Sequence, residues 1–264
     1  MSRPLINGFF GVEIDLSSAP NANFFAIPSW DDATSLLKLE RFTRTVMGGK
    51  GFPDGASWAR EMAARQPMFV QSSSRRDPGH AAAAPAGHAT IEVQTITPYD
   101  PALWGFGGHE VEAGSYQEEA AYQEVKKIIL DGMLERMEQA FPGSSTQVKL
   151  AELGTPATQE RFVGNTGGAP FGLEVRTSQI GPLRPGVTTP VPGLFLAGTS
   201  TGWGPGAEGA MLSGRQAASA ITGRDLSAEV RAGAVLTDAT RLRAWPSAFD
   251  ALAATSSGLD SDEP

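Results

Sequence analysis

The stretch from Pro190 to Ile221, PVPGLFLAGTSTGWGPGAEGAMLSGRQAASAI, constrains this chain more than any other. Gly193 to Gly198 is a short apolar run fenced by proline and glycine. It predicts a buried central strand, because a strand covered on both faces can be apolar without alternation. Thr199 to Gly206 places glycines at 202, 204 and 206, and from Ala207 onward small and apolar residues recur at helical spacing: Ala210, Gly214, Ala217, Ala218 and Ile221. Gly223 is placed to end that helix. Strand, glycine loop and helix in succession form a backbone cradle for an anion or a polar ring edge. The first helical N–H groups lack intrahelical partners, and the helix dipole favours negative charge there. A cofactor is the expected occupant.

Gly204 to Gly209, GPGAEG, fits the letters of the dinucleotide fingerprint GxGxxG, and Asp225 follows at about the 20-residue spacing of the fingerprint's acid. The literal match is rejected. The fingerprint needs a second buried strand after the helix to carry that acid, whereas Gly223 to Arg231, GRDLSAEVR, is polar and mixed. On the hexapeptide alone, a tight loop needing glycine for positive φ and close packing explains the sequence equally well.

Upstream, Phe10 to Leu16 alternates apolar and acidic residues and predicts a half-buried strand, with Asn23 to Ile27 as its partner. Ser29 is placed to cap a helix reaching Arg41, and Gly48 to Gly55 reads as a connector. Pro67 to Ser73 and Ala89 to Ile96 are a further strand pair, the second with Ile91, Val93 and Thr95 on one face and Glu92 and Gln94 on the other. Asp77 to Gly87 between them reads as an exposed excursion. Trp104 to His109, WGFGGH, is either a plug at a sheet edge or the wall of a substrate tunnel.

Ser115 to Ala140 is the longest helical pattern, with Ala121, Val125, Ile128, Ile129, Met133, Met137 and Phe141 on its apolar face and Pro142-Gly143 as its stop. Such a stripe is core before it is the wall of a lipid site. Gln147 to Glu152 reads as a short strand, and Thr155-Pro156 opens a helix. Thr237 to Leu252 has helix-like apolar intervals, and the Ser/Gly/Asp/Glu-rich end reads as disordered.

The net charge of −8 and a pI near 5.0 argue against a nucleic-acid partner. His80, His88 and His109 are too dispersed for a metal spacing and no cysteine supplements them, so no metal is expected. The lack of cysteine suits a cytoplasmic location. No apolar run approaches the roughly 20 residues needed to span a bilayer, which leaves at most peripheral membrane contact.

Residues 192–218, PGLFLAGTSTGWGPGAEGAMLSGRQAA, resemble the C-terminal flavin-contacting segment of the phytoene desaturase family, which also includes carotenoid isomerases and retinol saturases. The resemblance extends to Ser72 through Pro78, Gly154 through Thr158 and Gly164 through Gly168, in family order, and covers roughly residues 5 to 225. Gly202-Trp203 stands where the family commonly has His-Pro, and Glu208 where it commonly has Pro. Both departures bear on the substrate. No strand, GxGxxG turn and helix of the kind that holds the ADP half of FAD in this family is found in the chain.

The resemblance implies a mixed α/β fold (α+β): the C-terminal part of a two-domain FAD-dependent oxidoreductase. Residues 1–143 would form a mixed-sheet substrate-binding domain, 144–226 the C-terminal part of the FAD-binding α/β domain, and 227–264 a largely disordered tail. It implies FAD as cofactor, contacted by Gly198, Thr199, Gly204, Gly206, Ala207, Gly209, Ala210 and Met211, chiefly through backbone N–H groups. Gly168, Phe171 and Trp203 are its candidate substrate contacts, and the substrate is an apolar, isoprenoid- or carotenoid-like molecule. No side chain stands out as catalytic. The alternative is a non-catalytic fragment or interaction module that needs a separate N-terminal FAD-binding half.

Overall fold

A computed structural model describes residues 1–27, 48, 51–80, 82–107, 111, 114–237 and 240. The expectations for the Ser29 to Arg41 helix, for His109, for residues 241–252 and for the acidic tail lie outside those residues. The chain divides into two compact units, one spanning Arg3–Ala169 and the other Met1–Ser2 with Pro170–Ser257.

The Arg3–Ala169 unit is built on a five-stranded sheet in the order β2-β3-β4-β1-β5. Its strands are β1 (Leu5–Val12), β2 (Phe24–Ala26), β3 (Met68–Gln71), β4 (Ala89–Ile96) and β5 (Val148–Gly154). Every ladder among them is antiparallel. The period-two pattern of β4 is realised as read: Ile91, Val93 and Thr95 are buried, and Glu92 and Gln94 lie on the opposite face.

Three expectations about this sheet are corrected. The first strand starts at Leu5 and stops at Val12 instead of spanning Phe10 to Leu16. It matches β4 residue for residue from Leu5↔Ile96 to Val12↔Ala89, and its ladder with β5 shifts register between Gly11 and Val12. Asp15 then turns the chain, accepting the Ser17 N–H at 2.8 Å. Second, β2 pairs with β3 and not with β1, at the sheet edge where the Phe24 ring meets the edge of Phe141 at 5.2 Å. Third, β5 does not found a separate layer. It closes the opposite edge of this sheet beside β1, with Asn7↔Gly154 in register.

Two helices, α1 (Gly55–Arg65) and α2 (Ala120–Ala140), cover the buried face. On α2 the side chains of Val125, Ile129, Met133 and Met137 are buried, so the Met/Ile stripe is core. The approach of the helices is close: a Cβ on Gly132 would lie 2.5 Å from that of Ala63. Arg136, also buried, donates from Nη2 to the carbonyls of Ala63 and Ala64 at 3.1 and 2.9 Å, satisfying groups that the end of α1 leaves open. Burial pulls its pKa down. Trp104 stacks edge-on with Trp58 at 5.4 Å, and Phe106 contacts the rings of Tyr116 and Tyr122. The aromatic segment after Pro101 is therefore packed core and not a tunnel wall. Helix α3 (Pro156–Val163) begins at a capping box between Thr155 and Thr158 with Pro156 in its first turn.

The Pro170–Ser257 unit contains α4 (Ala207–Thr222), α5 (Leu226–Arg231) and a long loop system. Here the buried-strand expectation for Gly193 to Gly198 fails. The segment makes one isolated bridge, Thr188↔Phe195, and leaves Leu194 50% and Leu196 39% exposed. Pro192-Gly193 is a turn, closed by the Leu194 N–H to the Val191 carbonyl at 3.1 Å, and the Thr189 hydroxyl reaches the Leu194 carbonyl at 2.9 Å. An apolar run becomes a central strand only when neighbours pair with both of its edges, and among the described residues this one pairs at a single position. Helix α4, by contrast, starts at Ala207 and is stopped by Gly223, as read.

Candidate functional site

The loop between Gly198 and α4 is tied down from both ends by hydrogen bonds that short-range sequence reasoning does not register. Ser213, fully buried on α4, accepts the Gly198 N–H at 2.5 Å. Thr201, also buried, donates its hydroxyl to the Gly198 carbonyl at 2.8 Å and its N–H to the same oxygen at 3.2 Å; the Gly204 N–H then reaches the Thr201 carbonyl at 2.9 Å. Two turns in series thus deliver the chain to Gly206, whose φ of 99° is a conformation that a residue with a Cβ rarely adopts. The helix lies so close to the loop that a Cβ on Gly209 would stand 2.5 Å from the Gly204 carbonyl oxygen.

The buried stripe of α4 is Gly209, Ser213 and Ala217, four residues apart, while Ile221, expected on that face, is exposed. No side chain caps the helix start at Gly206, which leaves the first N–H groups for a ligand or water. Gly198 offers backbone that a flat group can approach, since a Cβ built there would meet nothing within 4 Å, whereas Gly204 is buried.

Beneath this loop lies Arg184, a buried side chain absent from the sequence-derived candidates. Its Nε donates to the Thr201 carbonyl at 2.9 Å; Nη1 donates to Glu174 and Gln179 at 3.3 and 3.0 Å; Nη2 donates to Leu173 and Thr199 at 3.1 and 2.8 Å. The only available signal was an arginine set between Leu183 and Pro185 in a glycine- and proline-rich stretch.

The candidate cofactor residues Gly198, Thr199, Gly204, Gly206, Ala207, Gly209, Ala210 and Met211 thus lie on one continuous loop and helix start. The Met211 side chain, 75% exposed, takes no part in the packing of the loop. Among the substrate candidates, Trp203 is 48% exposed on the same loop. Phe171 adjoins it: a Cβ on the next residue, Gly172, would collide with Ser200 Oγ, and the Leu173 N–H reaches that hydroxyl at 3.3 Å.

Gly168 belongs to the other unit, packed against α3, where a Cβ would lie 2.5 Å from the Pro156 carbonyl oxygen. Its loop is held by Glu160, which accepts the Gly167 N–H at 3.0 Å and the Tyr99 hydroxyl. Burial, then that carboxylate, pushes the Tyr99 pKa well above the ordinary phenol value, so Tyr99 stays a neutral donor.

Residues 109–222, which include this loop and α4, match the family described as flavin containing amine oxidoreductase. The chain is also 29% identical over 223 residues to prolycopene isomerase 1, chloroplastic, of an Oncidium hybrid cultivar, covering 79% of this chain and 35% of that protein. A second isomerase of the same plant matches to the same extent, and the prolycopene isomerase of Daucus carota is 26% identical over 171 residues, 61% of this chain and 27% of that protein. Over these stretches the chain is similar to flavin-containing oxidoreductases and to plant carotenoid isomerases. It spans about a third of the length of the Oncidium relatives it matches.

The observed loop suits a flavin ring in two respects. The start of α4 carries N–H groups without a side-chain cap, suited to the electron-rich pyrimidine edge, and the glycine backbone at 198 admits a flat group closely. Among the described residues no helix is long and apolar enough to cross a membrane.

Proposed function

We propose that this chain supplies the ring end of an FAD site and the substrate-domain sheet of an FAD-dependent oxidoreductase of the desaturase, saturase or isomerase type, acting on an apolar, carotenoid-like molecule. The observation that carries the reading is the uncapped helix start of α4 behind a glycine loop locked at Gly198, Thr201 and Gly204, inside the segment that matches the flavin family. The names of the plant relatives support the polyene class of substrate.

When bound, the flavin supplies the redox chemistry. The residues of this chain orient it: the N–H groups at the start of α4 favour negative charge at the ring edge that faces them, and the field costs no reorganisation because the loop is already fixed. Trp203 and Phe171, exposed beside the loop, are the apolar surfaces that a polyene would meet. Gly168 is retained as a candidate substrate contact. We place the protein in the cytoplasm, with membrane contact at most peripheral.

A second reading is favoured by one observation. Beyond Ala169 the described residues bury few large apolar side chains and expose Ile180, Leu183, Val191, Leu194, Met211 and Ile221. Such a surface fits a role as partner of a separate N-terminal FAD-binding half. One experiment tests both. The chain is purified alone and then with a dinucleotide-binding half from a related protein, and the flavin released on denaturation is quantified. The proposal expects little flavin from the chain alone and about one FAD per complex. Absence of flavin from the complex would refute the oxidoreductase reading; stoichiometric FAD from the chain alone would refute the need for a second half.

A further inference from the structure

We propose that Arg184 is the positioning residue of the flavin-ring loop, acting through the Thr199 and Thr201 carbonyls. This rests on the flavin reading above and adds to it a side chain outside the loop and helix that would touch the cofactor.

A guanidinium has five N–H donors in a fixed planar fork, and Arg184 uses all five on backbone carbonyls. The acceptors come from three stretches of chain: Leu173 and Glu174, Gln179, and Thr199 and Thr201. One rigid plane therefore sets the distance between the 173–179 segment and the loop. No donor remains for a carboxylate, so the buried cation is held by neutral dipoles alone, and a guanidinium that lost these carbonyls would be left buried without partners.

The link to the ring site is direct. The Thr201 carbonyl accepts both Arg184 Nε and the Gly204 N–H, and the Gly204 carbonyl is the surface against which Gly209 of α4 packs. A displaced guanidinium would release the turn carrying Gly204 and, with it, the separation between the loop and the start of α4. Lysine cannot replace it: three donors on a flexible stem cannot meet five carbonyls spread around a plane.

Arg136 provides the contrast. It is equally buried and likewise donates to backbone carbonyls, but it serves the end of α1 in the Arg3–Ala169 unit. The test compares Arg184→Lys, Arg184→Met and Arg136→Met in the 264-residue chain. Riboflavin, which carries the ring without the adenosine, is titrated by ligand-observed NMR, and amide hydrogen exchange is followed residue by residue. Both Arg184 variants are expected to weaken riboflavin binding at least tenfold and to speed exchange at the Thr201 and Gly204 amides at least tenfold. Exchange at Ser213 and Ala217 within α4, and the main thermal transition, should hardly change.

Arg136→Met should do the reverse, lowering the transition while leaving riboflavin affinity unchanged. Arg184→Lys with native affinity and native exchange at Thr201 and Gly204 would overturn the proposal while leaving the flavin reading intact. Accelerated exchange at those amides in a chain whose wild type binds no riboflavin would uphold Arg184 as the anchor of the loop, and the flavin reading would then stand or fall with the flavin content of the complex. Acceleration spread evenly through α4 would reduce Arg184 to a general stabiliser and also overturn the proposal.

Discussion

Adding a single methyl group at Gly209 probes the contact on which the loop and α4 depend. On the exposed interior of a helix, Gly→Ala stabilises by about 0.5–1 kcal/mol, because alanine loses less backbone entropy. At Gly209 that gain is opposed by a Cβ 2.5 Å from the Gly204 carbonyl oxygen and 3.1 Å from that of Trp203. Both neighbours are backbone, so neither can swing aside as a side-chain tip would. Forcing a methyl group into such a site costs about 1–3 kcal/mol. Gly214, on the same helix, is the internal control, since a Cβ there meets nothing within 4 Å. Gly214→Ala should therefore stabilise by about 0.5–1 kcal/mol, whereas Gly209→Ala should fall below it by about 1–3 kcal/mol, the full cost of overpacking. The assay is hydrogen exchange at amides within α4, which reads local stability, supported by Trp203 fluorescence as a reporter on the loop. In a flavin-loaded complex, Gly209→Val should in addition abolish flavin retention. Equal stabilisation by Gly209→Ala and Gly214→Ala would show that the helix does not press on the loop, and the cradle argument would fall with it.

At the crossing of α1 and α2, Gly132→Ala places a methyl group 2.5 Å from that of Ala63 and should lower stability by about 1–3 kcal/mol in urea unfolding; a neutral result would mean that the helices are free to separate. Glu138 accepts the N–H groups of Gly143 and Ser145 at 2.7 and 2.9 Å, and these bonds hold its pKa below the usual carboxylate value. Its contribution is therefore complete above the unfolded-state pKa and is lost as the pH falls through the lower folded-state pKa. Wild type and Glu138→Gln should differ in unfolding free energy at neutral pH and converge in acid, and a gap that widened on acidification would contradict the assignment. Leu194→Ser, at a half-exposed position, should change stability by no more than about 0.5 kcal/mol and should reduce the binding of an apolar dye to the chain; a loss of several kcal/mol would restore the buried strand.

Signals contained within about four residues of chain were legible in the sequence. The Thr155-Pro156 helix start, the glycine bounds of α4 at 206 and 223, the alternation of β4 and the long helix ending before Pro142 all depend on a residue and its immediate neighbours, through capping, φ preference and side-chain period. The sequence also carried the resemblance to flavin oxidoreductases and the stretch that forms the candidate site. Tertiary structure alone decided which strands pair, because β1 has the same apolar alternation whichever neighbour lies beside it. Strand β1 lies between β4 and β5, with β2 at the far edge beside β3. Tertiary structure also decided that Leu194 and Leu196 are exposed, since an apolar run records what could be buried and not whether a neighbour arrives to bury it. Arg184 is the clearest case: its partners lie 5 to 17 residues away in sequence, and all of them are backbone carbonyls. Every residue type carries that group, so no pattern of side chains marks the site, and only the path of the chain brings the five oxygens into one plane.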